Sequence, residues 1–342
     1  MTAALPHFPM TQPLVFIDAE TVARHLPWPA LLQALQQAFA ATDLTTPQRG
    51  HYHMQGLAQA HVPVLLSMPA WSGALGVGVK LVSVYPDNHT RDLPSIHGLY
   101  VLIEGLTGRP EAVLEAGELT ARRTAAASAL ASRYLSRADS KTLLMVGSGR
   151  LSQYLPLAHA QVRPIERVLV WGRTPAKAEA SALALRELGL HAQAVTNLAA
   201  ACAEADIVSC ATLSSQALIQ GEWLRPGTHV DLVGAFTPRM READDAVFQR
   251  ASAVWCDTLA GGLSEAGDIV QALASGALDK TRIAGELADL CRAEVPPVRD
   301  ATAITVFKSV GAALEDLAAA RLCLQSLQSL AQAAHPKKET TP

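Results

Sequence analysis

The feature that most constrains the fold of this chain is the segment from residue 141 to residue 173. Within it, an apolar run from Thr142 to Val146 is followed by Gly147-Ser148-Gly149, a helical segment that starts near Leu151, and a second apolar run from Val168 to Trp171. Strand, glycine turn, helix and strand in this order form one βαβ unit, and its length suits the fold that binds dinucleotides. We therefore expect a nucleotide site at this turn.

The glycines of this turn have separate physical roles. Gly147 permits a sharp exit from the strand, and Gly149 lets the backbone approach a pyrophosphate because it carries no Cβ. The unpaired N–H groups and the dipole of the following helix favour the phosphates. The third position of the dinucleotide-binding fingerprint is Ser152, where glycine or alanine is usual. Because this match is imperfect, the alternative is an ordinary βα turn that binds no nucleotide. The residues assigned to the cofactor here are Gly147, Ser148, Gly149, Arg150 and Leu151.

The end of the second strand indicates which dinucleotide binds. A site built for NAD places an acidic residue there to hold the ribose 2′-hydroxyl, but this segment, residues 171–175, reads WGRTP and has no acid. Arg173 can pair with a 2′-phosphate, and Thr174 can add a hydroxyl. We therefore expect NADP(H) in preference to NAD(H). The alternative is that Arg173 is a solvated loop residue and that NAD is held less selectively.

Composition excludes several classes of protein. The 342 residues suit two domains, and 49% hydrophobic against 17% charged residues favour a large core over disorder. The net charge of −3 provides no basic surface for nucleic acid. The N-terminus lacks a basic segment followed by a long apolar run, and no apolar stretch is long enough to span a bilayer. We therefore expect neither a signal peptide nor a membrane partner.

The cysteines indicate a reducing compartment. The chain has five of them, none in a C-x-x-C pair, so a disulfide framework or a zinc site is not expected. We predict reduced thiols in a cytoplasmic protein without a metal. These residues are Cys202, Cys210, Cys256, Cys291 and Cys323.

Two patterns of secondary structure divide the chain. Residues 14–114 contain short apolar runs separated by Gly and Pro, after two early helices, which favours an antiparallel α+β layer. An Ala-rich helix from Leu119 to Leu135 then leads into alternating strands and helices, the pattern of a parallel, doubly wound sheet. The predicted strands are 143–146, 168–171, 191–195, 207–210, 229–232 and 253–256, and the predicted helices are 151–162, 176–188, 198–204, 240–250 and 262–275. After Pro296-Pro297 we predict one long helix over residues 304–334.

The carboxyl ends of two of these strands extend the expected cofactor site. In a doubly wound sheet this edge faces the ligand crevice. Ala211 and Thr212 follow the strand 207–210, and Gly234 opens the loop after the strand 229–232. We assign all three to the cofactor and expect Gly234 to Thr237 near the nicotinamide. A plain βα loop is the alternative.

Several isolated cations lie in apolar surroundings in the first part of the chain. Lys80 stands within the strand GVGVKLVSVYP, where it must point outward, pair or serve a function, because a lone buried charge is costly. Arg122 and Arg123 begin a helix, at the end where the dipole disfavours arginine. With Arg49 they could hold a carboxylate, although three unrelated surface charges are the alternative. His97 is a weaker candidate for catalysis.

Six segments together resemble the ornithine cyclodeaminase/mu-crystallin family. In family order they are GVKLVSVYPDN, LTARRTAAASALA, VGSGRLSQYLPLAHA, VWGRTPAKA, VGAFTPRMREAD and ITVFKSVGAALEDLAAA. The resemblance implies an α/β fold in which a Rossmann-type doubly wound parallel sheet, residues 123–304, is inserted into an α+β dimerisation and substrate domain, residues 1–122 plus 305–342. It also implies a homodimer.

The resemblance implies roles for the cations. Arg49 corresponds to an arginine that binds the substrate carboxylate, Lys80 to the active-site lysine, and Arg123 to a second carboxylate-binding arginine, with Arg122 as its neighbour. Arg49 and Arg123 are then expected to hold the carboxylate of a small-molecule substrate. Lys80 is expected to help bind it or to keep an imine nitrogen protonated, and is the expected catalytic residue.

One departure from the family pattern points to a reductase. Family cyclodeaminases carry an aspartate two residues before the proline of the GAFTP-like segment, and Phe236 stands at that position here. Ring closure with release of ammonia needs proton transfers that phenylalanine cannot make. The resemblance therefore implies the ketimine reductase branch, which uses NAD(P)H to reduce Δ1-pyrroline-2-carboxylate and Δ1-piperideine-2-carboxylate to L-proline and L-pipecolate.

Three other functions stay open on the sequence. A cyclodeaminase that uses Glu265 or Asp231 as its acid would convert L-ornithine to L-proline and ammonia. A crystallin-type protein would bind NADP(H) with little turnover, although the intact set of cations argues against it. An enzyme resembling alanine dehydrogenase would act on an open-chain 2-oxo acid and ammonia. The sequence decides neither the ring size nor the natural substrate.

Overall fold

The computed structural model describes residues 14–57, 60–293 and 300–334. Residues 1–13, where no signal peptide is expected, lie outside this part. The strands are β1 (Val15–Ile17), β2 (Gly50–His53), β3 (Val64–Ser72), β4 (Gly76–Val84), β5 (Ile96–Ile103), β6 (Pro110–Glu115), β7 (Thr142–Val146), β8 (Arg167–Trp171), β9 (Ala192–Ala194), β10 (Ile207–Cys210), β11 (His229–Leu232), β12 (Ala251–Cys256), β13 (Ile283–Glu286) and β14 (Ile304–Lys308). The helices are α1 (Ala19–His25), α2 (Trp28–Ala40), α3 (Ala116–Leu135), α4 (Leu151–His159), α5 (Pro175–Glu187), α6 (Leu198–Glu204), α7 (Asp245–Arg250), α8 (Leu259–Ser264), α9 (Gly267–Ser275), α10 (Leu287–Arg292) and α11 (Ala313–Ala334).

The first sheet has the order β1-β6-β5-β4-β3-β2, and its pairs are antiparallel except for β1 with β6. Along each strand buried residues alternate with more exposed ones, as the pleat requires. Met68, Lys80, Tyr100 and Leu114 are register partners on the buried face, which packs on α3 and α11. The expected antiparallel layer is confirmed, and Lys80 lies within its buried face.

The second sheet has the order β13-β12-β14-β11-β10-β7-β8-β9, and all of its pairs are parallel. This arrangement confirms the predicted Rossmann-type α/β fold. The strand order reverses beside β7, whose neighbours are β8 and β10. Ligands of such sheets bind outside the carboxyl ends of the strands at this reversal.

The C-terminal part of the sheet differs from the prediction. Residues 304–308 form the buried strand β14 between β11 and β12, so the prediction of a continuous helix from residue 304 was wrong. Its β-branched and aromatic residues favour a strand, and full burial removes the alternation by which a strand is usually recognised. The helix begins only at Ala313. The segment 262–275 is divided between α8 and α9, and β13 was not predicted.

Helix α3 joins the two sheets. It contacts β5 and β6 on one side and β11 and β14 on the other, and the small side chains from Ala125 to Ala131 are buried. Alanine has no long side chain, so the helix can lie close to both sheets. Arg123 is the eighth residue of α3, about two turns after its start at Ala116, so the expectation that Arg122 and Arg123 begin the helix was wrong. After Lys308 the chain leaves the parallel sheet and enters α11, which packs on β3, β4 and β5. The division of the chain at residues 122/123 and 304/305 stays a prediction.

Candidate functional site

The glycine turn after β7 has the geometry of a phosphate site. Gly147 has a φ of +122°, and a Cβ added there would lie 2.5 Å from the carbonyl oxygen of Ala211, so the close approach of these two loops requires glycine. Gly149 is exposed, with open space where its Cβ would be. Helix α4 begins without a side-chain cap, and the positive end of its dipole favours an anion there. These features fit the pyrophosphate of a dinucleotide.

Two side chains beside the turn are held by neighbours. Arg150 is half exposed, and its guanidinium lies 3.1 Å from a carboxylate oxygen of Glu118. Ser152, at the third fingerprint position, is buried and donates a 3.1 Å hydrogen bond to Ser181 of α5. The serine therefore preserves tight packing with a hydroxyl that has a partner.

The end of β8 lies against the same turn. A Cβ added to Gly172 would be 2.9 Å from Oγ of Ser148, so residue 173 emerges beside the phosphate site. Arg173 is exposed and makes no hydrogen bond or ion pair with another described residue. Thr174 precedes α5 without a hydrogen bond from its side chain to the helix. Both side chains are available to a ligand.

Thr212 and Gly234 are already engaged within the protein. The carboxylate of Glu242 accepts hydrogen bonds from the Thr212 amide at 2.6 Å and the Thr212 hydroxyl at 2.8 Å, and its other oxygen accepts from the Gly234 amide at 2.7 Å. These donors are therefore occupied. Burial raises the pKa of Glu242 to about 7, with Asp268 acting in the same direction and Lys308 opposing.

The buried faces of the antiparallel sheet, α3 and α11 bring two of the predicted cations together. The Nζ atom of Lys80 lies 2.8 Å from Oδ2 of Asp316. Arg123 directs Nε to the other oxygen of Asp316 at 2.9 Å and Nη1 to Glu315 at 2.6 Å. All four side chains are at most 5% exposed. Two cations and two carboxylates thus form a buried, charge-balanced cluster.

Burial and neighbouring charges lower the pKa of Lys80 and raise the pKa values of Glu315 and Arg123. Burial and the neighbouring Arg123 lower the pKa of Lys80 to about 8, although Asp316 pulls the other way. Burial raises the pKa of Glu315 to about 7, against the opposing effect of Arg123. Burial disfavours the charge on Arg123, but Asp316 and Glu315 outweigh it and raise the pKa of the guanidinium. Lys80 therefore changes charge close to neutral pH, whereas Arg123 stays cationic.

Arg49 reaches the same region from the loop before β2. Its Nη2 donates to the carbonyl oxygens of Val310 at 3.1 Å and Gly311 at 2.8 Å, and its Nε lies 3.2 Å from Glu265. Gly311 has a φ of +84°, and a Cβ added there would be 2.7 Å from Nη1 of Arg123. Arg49 and Arg123 therefore converge on Gly311 at the start of α11.

A cavity of about 340 Å³ opens beside this convergence, at the carboxyl ends of β12 and β14. Met68, the register partner of Lys80, lines it, as do the residues that precede and begin α11. Asp257 fixes that segment by accepting hydrogen bonds from the Val310 amide at 2.8 Å and the Gly311 amide at 2.6 Å. The lining residues are Thr46, Pro47, Gln48, Arg49, Met68, Thr258, Ala260, Gly261, Ser264, Glu265, Gly311, Ala312 and Ala313.

Other residues considered from the sequence lie elsewhere. Asp231 is fully buried and accepts hydrogen bonds from Ser128 at 2.9 Å and Ser209 at 2.6 Å, so no substrate can reach it. Arg122 bonds to Glu118 at 2.8 Å. His97 is exposed on β5 and does not line the cavity. Glu265 does line the cavity, and Phe236 is 37% exposed in the loop after β11.

Apart from Glu265, the sequence reasoning missed the acidic residues of the site and the residues that shape it. Glu315 and Asp316 neutralise the predicted cations, Asp257 and Gly311 shape the cavity, and Glu242 connects the cofactor loops. A signal was present, since Glu315 and Asp316 are adjacent acids in an otherwise apolar helix segment. Such a pair needs buried partners when the helix is covered on all sides.

A Rossmann-type sheet, a phosphate turn and a cavity at the carboxyl edge of the sheet, lined by Arg49, are the features of a dinucleotide-dependent enzyme. The sequence matches the ornithine cyclodeaminase/mu-crystallin family over residues 14–330, and the chain belongs to this family.

Several relatives of this chain are named as reductases of a cyclic imine. The Δ1-pyrroline-2-carboxylate reductase of Paracoccus denitrificans is 41% identical over 254 residues, 74% of this chain and 80% of that protein. The Δ1-pyrroline-2-carboxylate reductase of Colwellia psychrerythraea is 35% identical over 317 residues, 91% of this chain and 98% of that protein. The structure of the Thermococcus litoralis Δ1-pyrroline-2-carboxylate reductase in complex with NADH and L-proline has a TM-score of 0.87 and 29% identity, and covers 93% of this chain and 98% of that one.

These likenesses identify the chain as an NAD(P)-dependent oxidoreductase that acts on C=N bonds of a small-molecule substrate. A nicotinamide cofactor is thereby supported. Within the described ranges, no helix combines the length and apolar character needed to cross a membrane. Among the same residues, no cluster of three or more His, Cys, Asp or Glu side chains could hold a metal ion.

Proposed function

We propose that this protein reduces cyclic ketimines, Δ1-pyrroline-2-carboxylate and Δ1-piperideine-2-carboxylate, to L-proline and L-pipecolate. The observation that carries the proposal is the convergence of Arg49 and Arg123 on Gly311, beside a cavity that Met68 connects to Lys80. A small carboxylate with an adjacent imine matches this combination of a carboxylate-binding pair and one titratable ammonium group.

The substrate carboxylate is proposed to bind between the two arginines. Arg49 Nη1 and Arg123 Nη2 make no hydrogen bond to another described residue, so each arginine keeps donors for a ligand. Ala312 and Ala313, at the beginning of the 22-residue helix α11, line the cavity as well. The positive end of the helix dipole favours an anion there.

Lys80 is proposed as the catalytic residue. With a pKa of about 8 it is mostly protonated at neutral pH, and its ammonium group can position the substrate or keep the ring nitrogen protonated. An iminium accepts hydride far more readily than a neutral imine, and the reduced nicotinamide, when bound, supplies that hydride. Phe236 is proposed to contribute an apolar wall.

The cofactor is proposed to be NADP(H) in preference to NAD(H). Gly147, Ser148, Gly149, Arg150 and Leu151 would hold the pyrophosphate, and Ala211, Thr212 and Gly234 would border the nicotinamide side. Arg173, which bonds to no other described residue, and Thr174, whose side chain does not cap α5, would hold the 2′-phosphate. The Thermococcus litoralis relative was solved with NADH, so this preference needs its own measurement.

The protein is also proposed to be a homodimer. The outer face of the antiparallel sheet is apolar, and Trp71, Leu81 and Leu99 on it are 38–45% exposed. Leu81 and Leu99 are register partners in the middle of this face. Such a patch on a two-sided apolar sheet is suited to a second copy of the same chain.

A cyclodeaminase is the second candidate, because Glu265 lies in the cavity next to Arg49. Asp231, the other acid considered for that reaction, is enclosed in the core. A crystallin-type binding protein and an enzyme resembling alanine dehydrogenase are the remaining alternatives.

Steady-state rates with the two cyclic imines, compared with pyruvate plus ammonia, test the proposal. The cyclic imines should be reduced with much the higher kcat/KM. Lys80→Ala should lower that value by about 100-fold or more, because a positioned charge is lost. Lys141→Ala is the matched control, since Lys141 is an exposed lysine paired with Glu166. Wild-type turnover by Lys80→Ala, or preference for pyruvate plus ammonia, would contradict the proposal.

A further inference from the structure

We propose that Glu242 is a positioning residue for the nicotinamide cofactor, which fixes the loops after β10 and β11 relative to each other. The inference rests on the proposed course of the cofactor along the carboxyl edge of the sheet. It does not depend on which imine is reduced.

The contacts of Glu242 span both loops. One carboxylate oxygen accepts from the amide and the hydroxyl of Thr212, at 2.6 and 2.8 Å. The other oxygen accepts from the amides of Gly234 and Ala235, at 2.7 and 3.3 Å. The side chain is fully buried, and all four donors come from residues at strand ends. The unprotonated carboxylate has the lone pairs to accept two hydrogen bonds at each oxygen, as these contacts require.

The loop after β10 packs closely against both the phosphate turn and the loop after β11. A Cβ added to Gly234 would collide with the Thr212 backbone, and one added to Gly147 would lie 2.5 Å from the Ala211 carbonyl oxygen and 3.4 Å from the Thr212 methyl group. Displacement of the Thr212 loop would therefore disturb both the phosphate turn and the loop that carries Phe236. Glu242 is the one described side chain that bonds to both strand-end loops.

A second acid and a lysine hold Glu242 in place. Asp268 accepts hydrogen bonds from the amides of Glu242 and Ala243, at 2.7 and 3.0 Å, and its other oxygen lies 3.3 Å from Nζ of Lys308. The Cys210 thiol also faces Glu242 from the end of β10. Lys308 is fully buried, so its positive charge acts on these acids with little screening by solvent. None of these residues takes part in the carboxylate binding proposed above.

A carboxylate at the opposite edge of the sheet provides a matched control. Asp206 precedes β10 and accepts from the amides of Lys141 and Thr142, at 2.8 and 2.9 Å, at the start of β7. It thus also joins neighbouring chain segments through backbone amides, but at the amino edge, away from the proposed cofactor path. Loss of Asp206 should lower stability without affecting cofactor binding.

The experiment compares Glu242→Gln, Glu242→Asp and Asp206→Asn in the full chain without imine. Two readouts are taken: the Kd of NADPH and NADH from nucleotide fluorescence, and the hydrogen-exchange rates of the Thr212, Gly234 and Ala235 amides in the free protein. Glutamine replaces one acceptor by an NH₂ group, and aspartate is too short to reach both loops. Each Glu242 variant should accelerate exchange at one or both loops and raise the Kd by about 10- to 100-fold, as expected for lost hydrogen bonds to a charged group.

Asp206→Asn should leave the Kd and those exchange rates at the wild-type values. A wild-type Kd in the Glu242 variants, or an equal loss of affinity in Asp206→Asn at equal loss of stability, would overturn the inference. If Glu242→Gln does not fold, Glu242→Asp gives the same decision. Because no imine is present, failure of the proposed substrate assignment would not affect these readouts.

Discussion

The Nζ atom of Lys80 lies 2.8 Å from a carboxylate oxygen of Asp316, and neither side chain is more than 3% exposed. The second oxygen of Asp316 lies 2.9 Å from Nε of Arg123. One buried carboxylate therefore orients both the proposed catalytic lysine and a proposed substrate-binding arginine. Such a bridge fixes two long side chains that would otherwise sample several rotamers.

Asp316 should set the pH dependence of the reaction. Lys80 is charged below its pKa of about 8 and neutral above it, so kcat/KM should fall as the pH rises through 8. Asp316 raises this pKa, so Asp316→Asn should lower it and move the alkaline limb to lower pH. The pH profile of kcat/KM for one imine checks this, since the ionisation of the substrate is the same for every variant.

Glu315→Gln is the control for this profile, because Glu315 acts on Lys80 more weakly than Asp316 does. It should move the limb less than Asp316→Asn. Identical limbs in all three proteins would show that Lys80 does not control the alkaline limb.

Gly311→Ala should selectively weaken binding of the imine. Its φ of +84° strains any other residue, and the new methyl group would lie 2.7 Å from Arg123 Nη1. Gly108→Ala is the control, because Gly108 has a φ of +73° with nothing within 4 Å of the added Cβ. Both substitutions should lower the free energy of unfolding by about 1–3 kcal/mol. Only Gly311→Ala should raise KM for the imine, by about tenfold or more. An unchanged KM would show that Gly311 does not shape the site that binds the substrate carboxylate.

Arg173→Ala should change cofactor preference. Loss of a charged hydrogen-bonding partner should reduce kcat/KM for NADPH by about 10- to 100-fold and leave NADH little changed. Arg186→Ala, at the other end of α5, should affect neither cofactor. Equal losses with NADPH and NADH in Arg173→Ala would indicate a site without selection for the 2′-phosphate.

Charges on the outer face of the antiparallel sheet should dissociate the dimer. Leu81 and Leu99 are register partners, 38% and 45% exposed, and the double substitution to Glu would bury charges against a second copy. Sedimentation should give the mass of two chains for the wild type and of one for the double variant. Leu106→Glu, at a residue 97% exposed in a turn, should stay dimeric. A wild-type monomer would contradict the proposal.

Much of the fold followed from local pattern. The apolar run before Gly147 and the glycines themselves predict the βαβ unit, because strand, turn and helix each impose a separate local demand. The same reasoning failed for residues 304–308, which form a strand and were predicted as helix. A short strand buried on both faces has no alternation, and the Ala-rich sequence that follows makes it resemble the start of a helix.

From the sequence alone, the cations and Glu265 stood out as candidate site residues, whereas Glu315 and Asp316 did not. Lys80 stands out because a charge in an apolar strand needs an explanation, whereas Asp316 follows Glu315 in a helix, where acids are usually solvated. Their pairing joins positions 236 residues apart, so neither local pattern nor spacing could reveal it. The same holds for Glu242, whose contacts are with loops that the sequence assigned to the cofactor directly.

The central claim is that the chain is a ketimine reductase and not a cyclodeaminase, with Phe236 at the position of the family aspartate. The most direct measurement follows absorbance of the reduced nicotinamide with purified protein, NADPH and Δ1-piperideine-2-carboxylate, beside a reaction with L-ornithine and NAD in which ammonia is assayed. We predict rapid loss of NADPH with the imine and no ammonia from ornithine. Ammonia and L-proline from ornithine would contradict this claim, and another residue would then supply the proton transfers that Phe236 cannot make. Glu265, which lies in the cavity, would be the first residue to test by substitution.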